Sequence, residues 1–259
     1  MRRKNIFLIA FALLLVGMLS SCTSRETPET GATMPTEQPI TLPMTQETML
    51  PSTAPELLIP ESLGECLQES GTDIDALTAR DCRQLVTVSV TDTRAQICFY
   101  TLEGNAWKYQ ETLTCSGFVG KRGAVDDKRE GDLATPKGLY SIGDAFYRKE
   151  APQTGLYTFP ITPDTYWVDD PDSIYYNKRI EGLDSKDWKS AERMQDYTTA
   201  YEYGFVVDYN VEAVPGAGSA IFFHVGYAET AGCIATEREF VLDYLAALDK
   251  SCNPYILIF

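Results

Sequence analysis

Short runs of apolar residues with partial alternation recur from residue 84 onward, and they predict a mainly β domain. Runs rich in β-branched and aromatic residues, bounded by glycine, asparagine or aspartate, are typical of strands. The tetrapeptide Glu103-Gly104-Asn105-Ala106 separates two of these runs and is typical of a hairpin turn. The predicted strands are residues 84–90, 96–102, 107–113, 138–142, 204–209, 220–225 and 255–259.

A helical pattern is clear at one place, close to the end of the chain. The segment Thr236-Glu237-Arg238-Glu239 matches a capping box, which predicts that a helix begins directly after Thr236. A more polar second helix is predicted over residues 184–196. Five apolar residues fall on one face of the first helix: Phe240, Val241, Tyr244, Leu245 and Leu248.

The first 22 residues have the pattern of a lipoprotein signal. A basic start precedes an apolar run over residues 6–18, and Leu19-Ser20-Ser21-Cys22 then matches a lipobox. The run is too short to span a bilayer comfortably. We expect residues 1–21 to be cleaved and Cys22 to carry a lipid that anchors the protein to the membrane, facing the cell wall. The alternative, an uncleaved anchor, also places the remainder outside the cytoplasmic membrane.

The segment that follows is predicted to be a disordered tether over residues 22–60. It is rich in threonine and holds seven of the chain's 14 prolines, and its composition cannot bury enough apolar area to offset the entropy of ordering. A short pre-domain segment, residues 61–83, leads into the predicted catalytic domain, residues 84–259. We find no internal repeat.

Charge excludes one class of partner. The formal net charge is −15, and removal of residues 1–21 takes three of the 22 basic residues and none of the 37 acidic ones, which leaves −18. A surface of this sign argues against binding to nucleic acid. Nothing in the sequence indicates an oligomeric state.

Cysteine spacing argues against a metal site. With Cys22 and Cys233 set aside, five cysteines remain, so at least one is unpaired, and Cys66 with Cys82 is the first pairing to consider. The chain has no CxxC spacing and a single histidine, so neither a structural zinc nor a cofactor is expected. Asp169, Asp170 and Asp172 lack the spacing of an EF-hand and are interpreted as a solvated turn.

The single histidine, His224, precedes the pair Gly232-Cys233 by a short segment and nominates a Cys/His catalytic site. A thiol attacks as thiolate, and an imidazole can take its proton. We expect His224 at the end of a strand and Cys233 shortly before a helix start, where backbone N–H groups favour a thiolate and an oxyanion. The alternative is that both are ordinary core residues.

Several ordered blocks resemble the YkuD-type L,D-transpeptidase catalytic domain, in a branch with a short His-to-Cys segment. The blocks are residues 120–123, 128–132, 135–138, 167–173, 176–177, 218–224 and 230–233. The resemblance implies a YkuD-like β-sandwich with a few peripheral helices. It also implies that Cys233 forms an acyl-enzyme with peptidoglycan stem peptides and transfers it to an amine, with His224 as base.

Two positions depart from the family motif. Its second histidine falls on Ala231 and its arginine on Ala235, which leaves open whether water replaces the amine, as in an L,D-carboxypeptidase. A noncatalytic wall-binding lipoprotein is a further alternative. Lys128, Arg129 and Tyr176 lie in the matching blocks and are candidates for substrate binding, since stem peptides carry carboxylates; a solvated loop is an equal reading of the two basic residues.

Overall fold

The structure is a computed structural model that describes residues 56–259. The predicted signal peptide, the lipidation site at Cys22 and the predicted tether up to residue 55 therefore lie outside the described residues. Within residues 56–259, no helix combines the length and the apolar character needed to cross a membrane.

The described residues form fifteen strands, three α-helices and three short 3-10 helices. The strands are β1 Gln84–Thr91, β2 Arg94–Glu103, β3 Ala106–Tyr109, β4 Cys115–Phe118, β5 Ala124–Val125, β6 Thr135–Pro136, β7 Gly138–Tyr147, β8 Thr158–Pro160, β9 Thr165–Val168, β10 Arg179–Glu181, β11 Ala191–Arg193, β12 Tyr203–Val207, β13 Phe222–Val225, β14 Ile234–Thr236 and β15 Pro254–Ile258. The α-helices are α1 Glu61–Ser70, α2 Ile74–Thr78 and α3 Arg238–Ala247, and the 3-10 helices are Glu111–Leu113, Met194–Asp196 and Lys250–Cys252.

The predicted mainly β fold is confirmed, and its principal sheet closes on itself. The strand order is β1-β15-β7-β12-β13-β14-β4-β2, and β2 returns to pair with β1. β3 extends β2 and β8 extends β7 at the margins. Closure removes the exposed sheet edges that unpaired backbone groups would otherwise present. The predicted turn at residues 103–106 is the β2–β3 hairpin, although β3 ends at Tyr109, before the expected end at residue 113.

Alternation along β13 separates the two faces of this sheet. Phe223 and Val225 point into the main core together with Ile234 of β14. Phe222 and Cys233 belong instead to a second buried cluster on the opposite face. Successive strand residues point to opposite faces, so His224 shares the face of Phe222. The candidate site is therefore built on the side of the sheet that faces away from the main core.

A small three-stranded sheet, in the order β10-β9-β11, covers this second face. Trp167 of β9 lies edge-on to Phe222, with ring centroids 4.9 Å apart. The helix predicted over residues 184–196 is wrong, because residues 191–193 pair with β9 as strand β11 and a 3-10 turn follows. Pairing with a neighbouring strand outweighs the weak helical preference of this polar segment.

The segment before the predicted domain packs against the sheet. Leu63 and Leu67 of α1 and Leu77 of α2 are buried in a cluster with residues of β1, β2 and β15. The last residues of the predicted tether are also ordered here, since Leu58 forms a β-bridge with Ala106.

The pairing of Cys66 with Cys82 is wrong. All six cysteines of the described residues are free thiols. The Cys66 thiol lies 3.9 Å from the Thr87 hydroxyl, whereas the Cys82 thiol donates to the Gln84 carbonyl oxygen at 3.3 Å. The two side chains thus point to different partners on β1.

The predicted C-terminal helix exists as α3, but its predicted capping box does not form. Thr236 is the last residue of β14, and its hydroxyl donates to the Ser116 carbonyl oxygen at 2.9 Å. The residue that precedes the helix is Glu237, whose side chain makes no capping hydrogen bond. Val241, Tyr244 and Leu245 are buried as the helical pattern predicted.

Candidate active site

His224 and Cys233 lie on one face of two adjacent parallel strands. The register of β13 and β14 places His224 opposite Ala235 and Phe223 opposite Ile234. Cys233 directly precedes β14 and thus lies opposite Phe222, two residues before His224. Residues two apart share a face, and neighbouring strands are about 4.8 Å apart. The sheet itself therefore presents the imidazole and the thiol to the same space.

That space is a cavity of about 560 Å³, and both candidate catalytic side chains line it. One wall is the connection from residue 226 to residue 232, between the two strands. Asp169, Glu192, Tyr197 and Tyr201 also line the cavity. The cavity has the size of a small-ligand site.

The imidazole of His224 is held in one tautomer. Its Nδ1 lies 2.8 Å from the carbonyl oxygen of Val225. A carbonyl oxygen can only accept, so Nδ1 carries the proton and Nε2 keeps a free lone pair. Burial lowers the pKa of His224 to about 4, with the Val225 contact opposing the shift. At neutral pH the ring is uncharged and able to accept a proton.

The thiol of Cys233 is buried and protonated in the resting protein. The backbone N–H of Phe222 donates to Sγ at 3.3 Å, and the thiol donates to the Ala220 carbonyl oxygen at 3.2 Å. Burial raises the pKa of Cys233, the charge of Glu192 raises it further, and the Phe222 N–H and Lys128 act in the opposite direction. The resting site therefore holds a neutral thiol and a neutral imidazole in the same cavity.

The helix start expected next to Cys233 is not there. β14 occupies residues 234–236, so α3 begins at Arg238, beyond the strand. Ile234 and Ala235 are fully buried and pair with β13, which makes this segment extended. The helix dipole falls off within the first turn and does not contribute to the thiol at this separation. The backbone N–H that contacts the thiol comes from Phe222 of β13, and not from a helix N-terminus.

Gly232 allows close backbone packing beside the thiol. A Cβ on Gly232 would lie 2.9 Å from the Ala134 carbonyl oxygen, and its φ of +154° adds strain for other residues. The Gly232 N–H donates to the Thr230 hydroxyl at 3.1 Å, and that hydroxyl donates to the Cys233 carbonyl oxygen at 2.6 Å. Thr230 thus fixes the turn that carries the nucleophile.

The three candidate substrate-binding residues occupy different environments. Lys128 is buried in the cavity wall, and its ammonium contacts Asp132 at 2.7 Å and the carbonyl oxygen of Arg129 at 2.8 Å. Arg129 is exposed, outside the cavity lining, in an ion pair with Asp127. Tyr176 is buried behind the lining, where its hydroxyl donates to Glu130 at 2.5 Å and accepts from the Gly218 N–H at 2.9 Å.

Four carboxylates line the cavity, and none was predicted from the sequence as a site residue: Glu130, Asp169, Glu192 and Glu229. Glu130 accepts hydrogen bonds from the hydroxyls of Tyr176 and Ser219. Glu192 accepts one from the Tyr201 hydroxyl. Burial raises the pKa of Glu192 to about 7; the Tyr201 bond opposes this shift, and the charges of Asp169 and Glu130 add to it.

The two departures from the family motif differ in their surroundings. Ala231 is exposed at the cavity rim. Ala235 is fully buried opposite His224, and its Cβ lies 2.8 Å from the point that a Cβ on Gly226 would occupy. A larger side chain therefore has room at position 231, whereas position 235 has no space for one.

Comparison with known proteins identifies the domain type. The family model of the L,D-transpeptidase catalytic domain, YkuD, matches residues 83–254. No curated protein matches the chain. Crystal structures of the helical cell shape determining protein Pgp2 from Campylobacter jejuni and of a point mutant of it are similar at 16% and 17% identity, with TM-scores of 0.37 and 0.35. They cover 68% of this chain, which spans 47% and 46% of theirs, less than half their length.

Proposed function

Because the chain belongs to the L,D-transpeptidase catalytic domain (YkuD) family, we propose that it is an acyl-transfer enzyme of peptidoglycan. In this proposal the Cys233 thiol attacks a stem peptide, becomes acylated, and passes the acyl group to an amine. The observation that carries this proposal is the pairing in one cavity of the Cys233 thiol with a neutral His224 whose Nε2 is free. A binding protein needs neither group in this arrangement.

The proposed acylation begins with neutral partners. The thiol proton moves to Nε2 of His224 as Sγ attacks a peptide carbonyl of the stem, and the imidazolium returns that proton to the departing amine of the terminal residue. A thioester remains on Cys233. In the second half, an uncharged amine attacks the thioester, its surplus proton passes to His224, and the thiol is regenerated. His224 thus acts as base and then as acid in each half-reaction.

The local hydrogen bonds support this order of events. The Phe222 N–H at 3.3 Å from Sγ stabilises negative charge that develops as the thiol loses its proton. The Val225 carbonyl oxygen holds the Nδ1 proton and would stabilise the imidazolium that forms. Because the Cys233 and His224 side chains are buried, these fixed dipoles act on them with little screening by water.

Hydrolysis of the same thioester is the second candidate function. The observation that favours it is the loss, at Ala231 and Ala235, of the two polar side chains that flank the cysteine in the family motif. Both reactions share the acyl-enzyme, and they differ only in whether water or an amine resolves it. Product analysis separates them directly.

The test is incubation of the full-length protein with purified disaccharide tetrapeptides, followed by mass spectrometry of products and protein. Transfer predicts cross-linked dimers with loss of the terminal residue, and hydrolysis predicts tripeptides alone. Both predict an adduct on Cys233 that is absent from Cys233→Ala. Cys252→Ala is the matched control, since it removes another thiol and should keep the adduct. Turnover without an adduct on Cys233 would refute the proposal.

We further propose that the protein acts outside the cytoplasmic membrane, held there by a lipid on Cys22. This rests on the basic start, apolar run and lipobox of residues 1–22. Cys22→Ala should release the protein from the membrane fraction or leave the precursor unprocessed. Membrane retention of a trimmed Cys22→Ala chain would contradict the lipid anchor, whereas a change at the neighbouring Thr23 should alter nothing.

A further inference from the structure

In the resting site, the Cys233 thiol donates its proton to a backbone carbonyl oxygen. The acceptor is the Ala220 carbonyl oxygen, 3.2 Å from Sγ, and Sγ itself accepts from the Phe222 N–H at 3.3 Å. The proton that the proposed mechanism passes to His224 is therefore held at Ala220 before the reaction begins.

Ala220 has a backbone conformation that alanine rarely adopts. Its φ is +53°, and the residue is buried in the cavity lining shortly before β13 begins. This left-handed region is unfavourable for a residue with a Cβ, and such a residue persists where neighbouring groups determine its conformation. Because the conformation of Ala220 sets the direction of its carbonyl, the group that holds this residue also holds the acceptor of the thiol proton.

The side chain of Asn177 is the group that holds Ala220. Its Oδ1 accepts from the Ala220 N–H at 3.1 Å and from the Trp167 Nε1–H at 3.0 Å. Its Nδ2 donates to the carbonyl oxygens of Tyr209 and Asn210, both at 2.9 Å. An amide side chain has two donors and two acceptor lone pairs, and all four are used here, which fixes its orientation.

Asn177 joins three segments of the fold. Its backbone N–H donates to the Val168 carbonyl oxygen at 2.8 Å, at the end of β9. Its Nδ2 contacts the residues that follow β12, and its Oδ1 contacts the segment before β13. Trp167, the other donor to Oδ1, packs edge-on against Phe222. The Trp167–Asn177 pair thus supports both residues whose backbone groups contact Sγ.

We propose that Asn177 is a positioning residue that acts through Ala220: it holds the Ala220 carbonyl against the Cys233 thiol and so keeps the nucleophile protonated and oriented in the resting site. The proposal rests on the acyl-transfer function above and adds a control of its nucleophile. A carbonyl oxygen that accepts from the neutral thiol opposes ionisation, because a thiolate has no proton to donate. The Ala220 carbonyl thus competes with Nε2 of His224 for the same proton.

The first measurement is the rate at which iodoacetamide alkylates Cys233 across a range of pH, read by peptide mapping of the full-length protein. Asn177→Gly removes the hold on Ala220, and glycine adopts the φ of +54° at position 177 without strain. Phe222 stays paired with β12. We expect alkylation near neutral pH to rise about threefold to tenfold, as for loss of one hydrogen bond to the neutral thiol. At high pH the two rates should converge.

The charged and titratable side chains that act on the thiol are the same in the wild type and in Asn177→Gly. They are His224, Glu192, Lys128, Tyr197 and Tyr201. A displaced pH profile therefore reports the contact with Ala220.

Two further variants separate positioning from stability. Trp167→Phe is the matched control, because it removes the other donor to Oδ1 and leaves the Ala220 contact; it should lower the melting temperature and keep the alkylation profile. Asn177→Asp still accepts from the Ala220 N–H, and its charge opposes ionisation of the thiol, so alkylation should be no faster than in the wild type. A wild-type profile in Asn177→Gly, or the same acceleration in either of the other two variants, would overturn the proposal.

A measurement on the wild-type chain keeps the test decisive if Asn177→Gly does not fold. The Raman difference between wild type and Cys233→Ala isolates the S–H stretching band of Cys233. Donation to the Ala220 carbonyl oxygen should place this band at lower frequency than that of a thiol without a hydrogen bond. A band at the frequency of a non-bonded thiol would overturn the proposal.

The second measurement is acyl-enzyme formation with a disaccharide tetrapeptide in a single turnover. Asn177→Gly should slow it about tenfold or more, because attack on a bound carbonyl requires an oriented Sγ, whereas a small reagent requires only thiolate. The two rates then change in opposite directions, which a loss of stability alone does not produce. Acylation at the wild-type rate would overturn the positioning role. Absence of any adduct in the wild type is a different result: it refutes the proposed function and leaves the alkylation profile readable.

Discussion

The ring of Tyr201 lies edge-on to the imidazole of His224, with ring centroids 5.5 Å apart, while its hydroxyl donates to Glu192. One side chain thus contacts the candidate base with its ring and the cavity-lining carboxylate of Glu192 with its hydroxyl. Because the two contacts use different atoms, substitution can separate them.

Tyr201→Phe keeps the ring and removes the hydroxyl. We expect it to retain the position of His224 and to raise the pKa of Glu192 further, since the lost hydrogen bond favours the charged carboxylate. Tyr201→Ala also removes a ring that packs on Phe146 and Phe222, which should cost about 3–5 kcal/mol. Denaturant unfolding of both variants checks this. Equal destabilisation would show that the hydroxyl, not the ring, is the important part.

The reactivity of Cys233 should increase with pH well beyond neutrality. Burial raises the pKa of this thiol, and His224 is neutral at pH 7, so the resting site contains little thiolate. Alkylation by iodoacetamide requires thiolate. Peptide mapping of Cys233 should therefore show a rate that still rises between pH 8 and roughly pH 9.5. A plateau near pH 7 would indicate a thiolate–imidazolium pair instead.

Removal of the imidazole should slow acylation without unfolding the protein. Labelling by a carbapenem, a class of acylating agent expected to react with the cysteine of this family, should vanish in Cys233→Ala. It should fall by about 10²-fold or more in His224→Gln, as is typical when a general base is lost. Intact-mass spectrometry measures the rate, and circular dichroism tests the fold. A wild-type rate in His224→Gln would exclude the imidazole as base, because the chain holds no other histidine.

The carboxyl of Glu192 should destabilise the fold at high pH. Its pKa of about 7 in the folded chain exceeds the ordinary value, so the folded state binds more protons than the unfolded state between about pH 4.5 and pH 7. Stability from this group is complete below that interval and is lost as the pH rises through it. A shift of this size corresponds to about 3 kcal/mol at pH 8. Glu192→Gln should match the wild type at pH 4.5 and melt roughly 6–12 °C higher at pH 8.

Thermal scans at both pH values, with Glu103→Gln as a control of equal charge change, check the behaviour of Glu192. The control should show no difference between variant and wild type that depends on pH in this interval. An unchanged melting temperature of Glu192→Gln at pH 8 would contradict the raised pKa.

Restoring the two polar residues of the family motif should have opposite outcomes. Ala231→His places a side chain at the exposed cavity rim and should fold normally while changing the ratio of amine transfer to hydrolysis. Ala235→Arg forces a long charged side chain into a fully buried position against Gly226, which should cost about 3 kcal/mol or more. Product ratios and melting temperatures check the pair. An unchanged product ratio in Ala231→His would remove position 231 as a determinant of acceptor choice.

The strands and the Cys/His pair were predictable because their signals are local. β1, β2 and β15 are runs of β-branched and aromatic residues, and His224 is the only histidine of the chain. The positions of those runs fix which residues share a face. The blocks that resemble the YkuD family also occur in the family's order and end at Cys233, which singled out this cysteine among the seven.

That Asp169 and Glu192 line the same cavity was not predictable, because it depends on pairing between distant segments. Asp169 was assigned to a solvated turn and Glu192 to a helix, and no local signal relates the two. They meet because the short strands β9 and β11 pair, and strands of three or four residues have weak patterns of their own. Likewise, the supposed cap at Thr236 failed because its hydroxyl found a partner on β4, across the sheet.

The hydrogen bond from His224 to Val225 also allows the protonation of the candidate base to be followed by NMR. Since the chain contains one histidine, labelling with ¹⁵N-histidine yields a single imidazole spin system, and it belongs to the candidate base. Nδ1 should stay protonated throughout, because its N–H donates to the carbonyl oxygen of Val225. Only the Nε2 signal should then shift when the ring gains a proton. Each stage of the reaction can thus be followed at one atom, in the intact protein, without assignment of any other signal.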